Sequence, residues 1–168
     1  MRFLRSLAAT LLMVSALQAG AAPSWHGTAT RISDGDTVWV RPANGGKPVK
    51  IRMAGIDAPE ICQASGQASR QALARRVQGR QLAVFVQGRD DYGRTVAALH
   101  ADGEDVAGWM VGQGHAWSYR SGRSDGPYAP QEARARAAAR GLFADRAALE
   151  PREFRRRHGA CPAVRRRP

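Results

Sequence analysis

Nine residues, Arg52-Met53-Ala54-Gly55-Ile56-Asp57-Ala58-Pro59-Glu60, carry one guanidinium and two carboxylates around a glycine and a proline. A guanidinium grips phosphate oxygens through paired hydrogen bonds, and a carboxylate ligates a hard cation or takes a proton from water. Together these groups read as half of a metal-assisted phosphodiesterase site. Arg94 closes Arg89-Asp90-Asp91-Tyr92-Gly93-Arg94 and supplies a second guanidinium at a glycine turn. Asp34-Gly35-Asp36 supplies further acids. Adjacent strands could bring Asp36 and Asp57 together, and two carboxylates with main-chain carbonyl oxygen and water suit a divalent ion such as Ca2+. Each acidic motif alone is also an ordinary turn former, and one arginine among many is also an ordinary surface charge. An Asp-x-Asp-x-Asp-Gly loop is absent from the sequence, which excludes an EF-hand.

The elements that must position these residues follow from periodicity. Val49, Ile51 and Met53 alternate with Lys50 and Arg52, the pattern of a half-buried strand over Val49 to Ala54. Trp25 to Val40 reads as two strands broken at Asp34-Gly35-Asp36, and Asn44-Gly45-Gly46 marks a hairpin turn. Gln63 to Gln78 places Ala68, Ala72, Leu73 and Val77 at helical spacing, with Ser65 as a cap and Gly79 as the stop. Strands over Gln81 to Gln87 and Thr95 to Ala101 come next. A short helix over Glu104 to Gln113 and a third helix from Pro130 to Gly141 complete the pattern. Three strands, a helix, two strands and appended helices predict an α+β, mainly β fold: a five-stranded oligonucleotide-binding (OB) barrel with three helices.

Composition bounds the rest. Within 168 residues, 43 % apolar content is enough for one packed core. Met1 to Ala21 has Arg2 and Arg5, an apolar run from Leu7 to Leu17 and a small-residue end, the layout of a secretory signal peptide cut after Ala21. Its removal takes away two arginines and no acid, so a charge of +12 becomes +10 and still draws the protein to polyanions. An uncleaved anchor is the alternative for this segment. No later segment is apolar enough to span a bilayer, so stable membrane association after cleavage is not expected. The expected organisation is a signal peptide over 1–21, one domain over 22–145 and a basic extension over 146–168. Cys62 and Cys161 would pair in an exported protein and stay as thiols in the cytosol. If paired, they fasten the tail two residues beyond Glu60, and closing so long a loop is worth about 4–5 kcal/mol in the chain-entropy model.

Asp34-Gly35-Asp36-Thr37, Arg52-x-x-Gly55-Ile56-Asp57-x-Pro59-Glu60 and Asp91-Tyr92-Gly93-Arg94-Thr95 resemble, in order and spacing, the three signature blocks of the thermonuclease family. This is the family of staphylococcal-nuclease-like, Ca2+-dependent nucleases. Gly112 to Ala116, and Glu132-Ala133-Arg134 through Gly141-Leu142-Phe143, resemble its C-terminal helices. The resemblance runs from about Trp25 to Phe143. It implies that Asp36 and Asp57 are Ca2+ carboxylates, that the Ala58 carbonyl is a further ligand, and that Asp34 acts through water. By the same resemblance Glu60 is the general base, Arg52 and Arg94 clamp the scissile phosphate, and Tyr92 contacts a neighbouring one. Three positions depart from the family. Ala58 stands where threonine is common, Asp91 stands where a basic residue helps bind phosphate, and the tyrosine pair that packs on a base is not plainly matched. Trp117, Tyr119 and Tyr128 are the aromatic candidates for base stacking, with core packing as the alternative.

Three functions compete at this level. The first is an exported, monomeric, Ca2+-dependent nuclease, periplasmic or extracellular, acting on DNA and RNA with low sequence preference and leaving 3′-phosphates. The second is a non-catalytic OB barrel that holds single strands. It has no use for the full set Asp36, Arg52, Asp57, Glu60 and Arg94, which therefore favours the enzyme. The third, a membrane-active cationic protein, lacks a long basic amphipathic helix.

Overall fold

Alternation along Val49–Met53 (β3) is realised as read: Ile51 and Met53 are buried while Lys50 faces solvent. The structure is a computed structural model that describes residues 24–159 and 161. The expected signal peptide and the arginines at 165–167 lie outside the described residues. β1 (Trp25–Ile32) and β2 (Thr37–Pro42) precede β3, and the two-residue β4 (Ile56–Asp57) follows it. After α1 (Gly66–Val77) come β5 (Gln81–Arg89), β6 (Thr95–Ala101) and the short β7 (Glu104–Asp105). The rest is α2 (Val106–Gly112), β8 (Trp117–Ser118), α3 (Ala129–Ala137), a 3-10 turn at Gly141–Ala144 and α4 (Pro151–His158).

The strand order β3-β2-β1-β5-β6 closes through a parallel β3–β6 pairing, which makes the five-stranded barrel. Closure is what assembles the chemistry. Thr37 pairs with Arg52, so Asp36 lies beside the end of β3, where its carbonyl accepts from Met53 N–H at 2.8 Å. Ile51 pairs with Thr95, which brings Arg94 to the level of Lys50. Inside, Val38, Val40, Ile51, Leu82, Val84 and Leu99 pack against Leu73 of α1 and Met110 of α2. Burying a side chain of this kind is worth about 1.5–3 kcal/mol.

The helices depart from expectation in detail. Ser65 precedes α1 in the left-handed region with no side-chain cap bond. Ser69, not Ala68, faces inward, its hydroxyl donating to the His115 carbonyl at 2.6 Å. Glu104 and Asp105 pair with β6 instead of opening α2, and Asp105 caps that helix by accepting from Ala107 N–H at 3.0 Å. There are four helices among the described residues, not three. α4 arises in the stretch read as a basic extension, and Cys62 is bonded to Cys161 just beyond it.

Candidate active site

Gly55 turns the chain from β3 into β4 with φ +75, and an added Cβ would lie 2.6 Å from Pro127. The turn is held by Tyr119 N–H donating to the Gly55 carbonyl at 2.8 Å, and by pairing of Ile56 and Asp57 with Ser118 and Trp117. Asp57 is thereby fixed beside Asp36. The Asp36 carboxylate accepts from Thr37 Oγ1 and from Ala58 N–H, both at 2.9 Å. The preceding Asp34 carboxylate accepts from Asp36 N–H at 3.0 Å. Arg52 bridges the two central acids, 3.1 Å to Asp36 Oδ2 and 3.0 Å to Asp57 Oδ1, with its side chain 15 % exposed.

So many carboxylates in a half-dry site repel one another. Burial, then the charge on Asp36, pushes Asp57 up to about 6 despite Arg52 and Arg155. Asp34 is likewise raised, by burial first and by Asp36 second. The site holds more negative charge than its arginines neutralise, and a cation would relieve it. Among the described residues no three His, Cys, Asp or Glu side chains converge on one point. A divalent ion here would draw on Asp36, Asp57, main-chain oxygen and water. Such an all-oxygen set fits a hard cation with flexible coordination, so the residues present suit the Ca2+ that the resemblance implies.

Glu60 is placed by a neighbour that the sequence did not single out. Gln63 Oε1 accepts from Glu60 N–H at 3.1 Å, and Gln63 Nε2 donates to the Leu149 carbonyl at 2.7 Å. Gly66 completes the fit, since a Cβ there would fall 2.0 Å from the Glu60 carbonyl oxygen. Gln63→Ala leaves both main-chain groups without their partner. We expect a loss of about 1–3 kcal/mol in urea unfolding, and a larger loss of turnover than of folded protein.

The remaining expected residues fall into two groups. Arg94 lines the same cleft of about 820 Å³ as Asp34, Asp36, Arg52, Asp57, Ala58, Glu60 and Tyr92. Its Nε donates to Asp90 Oδ2 at 2.6 Å, and its guanidinium stands 5.5 Å from the ring centroid of Tyr92. Tyr92 itself is 85 % exposed, and Tyr119 lines the cleft as a partly exposed ring. Trp117 does not belong with them. It is 3 % exposed and packs edge-on against Phe143, so it offers no face to a base and is core. Tyr128 also packs against the core, its hydroxyl donating to Asp105 at 2.7 Å. Two charged cleft residues that pair with expected site residues had no individual role in the sequence reading. Asp90 orients Arg94, and its i,i+4 spacing in a turn was the available signal. Arg155 reaches in from α4, with its Nη1 2.6 Å from Glu60 Oε1 and its Nη2 3.3 Å from Asp57 Oδ2.

Comparison with known proteins agrees with this geometry. The family model described as staphylococcal nuclease homologue matches residues 50–145, more than half of the chain. An uncharacterized endonuclease of Haemophilus influenzae is 38 % identical over 75 % of this chain and 70 % of its own length. Protein ParB of Escherichia coli is 38 % identical over 91 % of this chain and 90 % of its own. A micrococcal nuclease of Shigella flexneri is 34 % identical, with 91 % and 92 % covered. A closed five-stranded barrel, a cleft of paired carboxylates and arginines, and a match of this extent place the chain in the staphylococcal nuclease homologue family, as a nuclease that hydrolyses phosphodiester bonds.

Proposed function

We propose that the protein is an exported, monomeric, Ca2+-dependent nuclease that hydrolyses DNA and RNA with little sequence preference and leaves 3′-phosphates. The observation that carries this reading is the convergence of Asp36, Arg52, Asp57, Glu60 and Arg94 on one open cleft. Arginines and a lysine in an open cleft favour contacts to the phosphate backbone, which carry no sequence information. The fused signal-like segment and the Cys62–Cys161 bond support export, because disulfides persist in oxidising compartments.

In the mechanism Glu60 takes a proton from a water positioned for in-line attack on phosphorus. Negative charge builds on the non-bridging oxygens, where Arg52 and Arg94 donate hydrogen bonds. Breaking the P–O5′ bond releases the 5′ oxygen, which takes a proton from solvent water to leave as a hydroxyl, and the phosphate stays on the 3′ side. Asp36, Asp57 and the Ala58 carbonyl would hold Ca2+, with Asp34 supporting it through water. The ion, when bound, supplies positive charge to the phosphate and acidity to nearby water. Tyr92 and Tyr119, at the mouth of the cleft, would contact neighbouring nucleotides.

The direct test is incubation of the mature protein with plasmid and single-stranded DNA in Ca2+ or in a chelator. Degradation in Ca2+ should fall by more than about a hundredfold on chelation, since metal charge is worth several kcal/mol at the transition state. Undiminished cleavage in chelator would remove the metal from the mechanism. No cleavage with any divalent ion would leave a strand-binding barrel.

A further inference from the structure

We propose that Arg155 is a third phosphate-binding arginine, delivered to the cleft by the strapped helix α4. The inference rests on the nuclease reading above and names a substrate contact within it. Of the residues lining the cleft, Arg155 is the one drawn from α4. Its neighbours on that helix face elsewhere: Arg156 and Arg157 both pair with Glu153 on α4 itself. Arg155 sits one turn after Pro151, the buried residue of the helix, and so shares the face turned toward the protein.

The helix is held at both ends. Ahead of it, Gln63 fixes the Leu149 carbonyl, and Arg120 joins Glu150 to the buried Glu132. Behind it, Cys161 is bonded to Cys62. This much anchoring for one exposed arginine places its charge at a defined point, between Glu60 and Asp57. The guanidinium contacts two acids there, and the Arg155 side chain is 42 % exposed. Among the described residues two of its five N–H groups are engaged, and a guanidinium has further N–H groups to offer an incoming anion. A cation held by Asp36 and Asp57 would compete for the Asp57 carboxylate that Arg155 contacts. Arg155 would then keep Glu60 on Nη1 and turn its Nη2 edge to a backbone phosphate of the bound strand next to the scissile one. Arg52, Arg94 and Arg155 all line the one cleft.

The test compares Glu60→Gln with Glu60→Gln/Arg155→Ala, both as full mature chains in Ca2+. The readout is fluorescence anisotropy of a labelled single-stranded 12-mer across a salt series. The Arg155→Ala change should weaken binding by about 5–20-fold at moderate salt. It should also reduce the slope of log K against log salt by about 0.7, the signature of one lost phosphate contact on a single strand. Arg155→Lys, which keeps the charge but not the fork, should keep the slope and lose part of the affinity. Equal or tighter binding with an unchanged slope would overturn the proposal and make Arg155 a latch on the two acids. The binding readout is independent of cleavage, so a wild type that fails to cut DNA would sink the nuclease reading while this comparison still judged Arg155.

Discussion

Glu60→Gln lowers kcat on plasmid DNA by about 10²–10⁴-fold, the range a positioned general base contributes, while the protein still binds the strand. The substitution keeps the shape of the side chain and the main-chain bonds to Gln63, so the loop at the end of β4 stays in place. What it removes is the basicity of a carboxylate, which the proposed reaction needs to take a proton from the attacking water. It also breaks the pair with Arg155, but that contact is partly exposed and such pairs contribute about 0.2–1 kcal/mol, too little to unfold the domain. Strand affinity should hold or rise, because one negative charge leaves a site that faces phosphate. The discriminating measurement is kcat against Kd on the same oligonucleotide. A kcat within about threefold of wild type would move the base elsewhere in the cleft.

Arg52→Gln has the second large effect, on two observables of opposite character. Turnover should fall by about 10²–10³-fold, as when one charged donor to a developing oxyanion is lost. The metal-free protein should also lose about 3 kcal/mol, the lower end of the range for breaking a buried ion pair. Arg52 is the bridge between Asp36 and Asp57, and without it two neighbouring carboxylates repel inside the protein. The pH dependence fixes the sign. Asp57 ordinarily titrates at 3.8 and is raised here to about 6, so its contribution to stability is present below 3.8 and lost as pH rises through 6. Arg52 is one of the influences lowering that value, and its removal raises it further. The stability deficit of Arg52→Gln should therefore be small near pH 5 and grow toward pH 8 in chelator. Added Ca2+ should recover most of it by mass action, since the vacated carboxylates bind a cation without competition from the guanidinium. A deficit that ignores both pH and Ca2+ would mean that Arg52 acts through packing alone.

The barrel was legible because β-strands with one buried face must alternate. β2, β3, β5 and β6 carry that signal, β1 shows instead in its β-forming Thr28, Thr30 and Ile32, and the turns at Asp34-Gly35-Asp36 and Asn44-Gly45-Gly46 separate the first three strands. That Asp36, Arg52, Asp57 and Glu60 would share one cleft was legible for a related reason: a strand that ends in glycine and proline with paired acids has few purposes. β4 and β8 were not, since two residues hold no period and their pairing depends on chain folded far apart in sequence. Trp117 was misjudged for the same reason, its burial being set by Phe143 and α3 rather than by its own neighbours. α4 carries four arginines in eight residues and Phe154 as its lone large apolar side chain, so nothing in its pattern announces a packed helix. Its order comes from outside itself, through Gln63, Arg120 and the bond at Cys161. Cys161 alone hinted at this, by tying the tail to the neighbourhood of Glu60.

The bond between Cys62 and Cys161 spans a sequence separation of 99 residues, and the span divides the active site. Asp36, Arg52, Asp57 and Glu60 precede the loop, whereas Arg94 and Arg155 lie within it. A protease that nicks the chain once anywhere inside the loop, at the exposed turn around Tyr92 for example, produces two polypeptides that cannot part. Every group of the cleft remains on one covalent body, and the barrel can keep its pairing across the break. In surroundings rich in proteases, such a molecule outlasts its first cut.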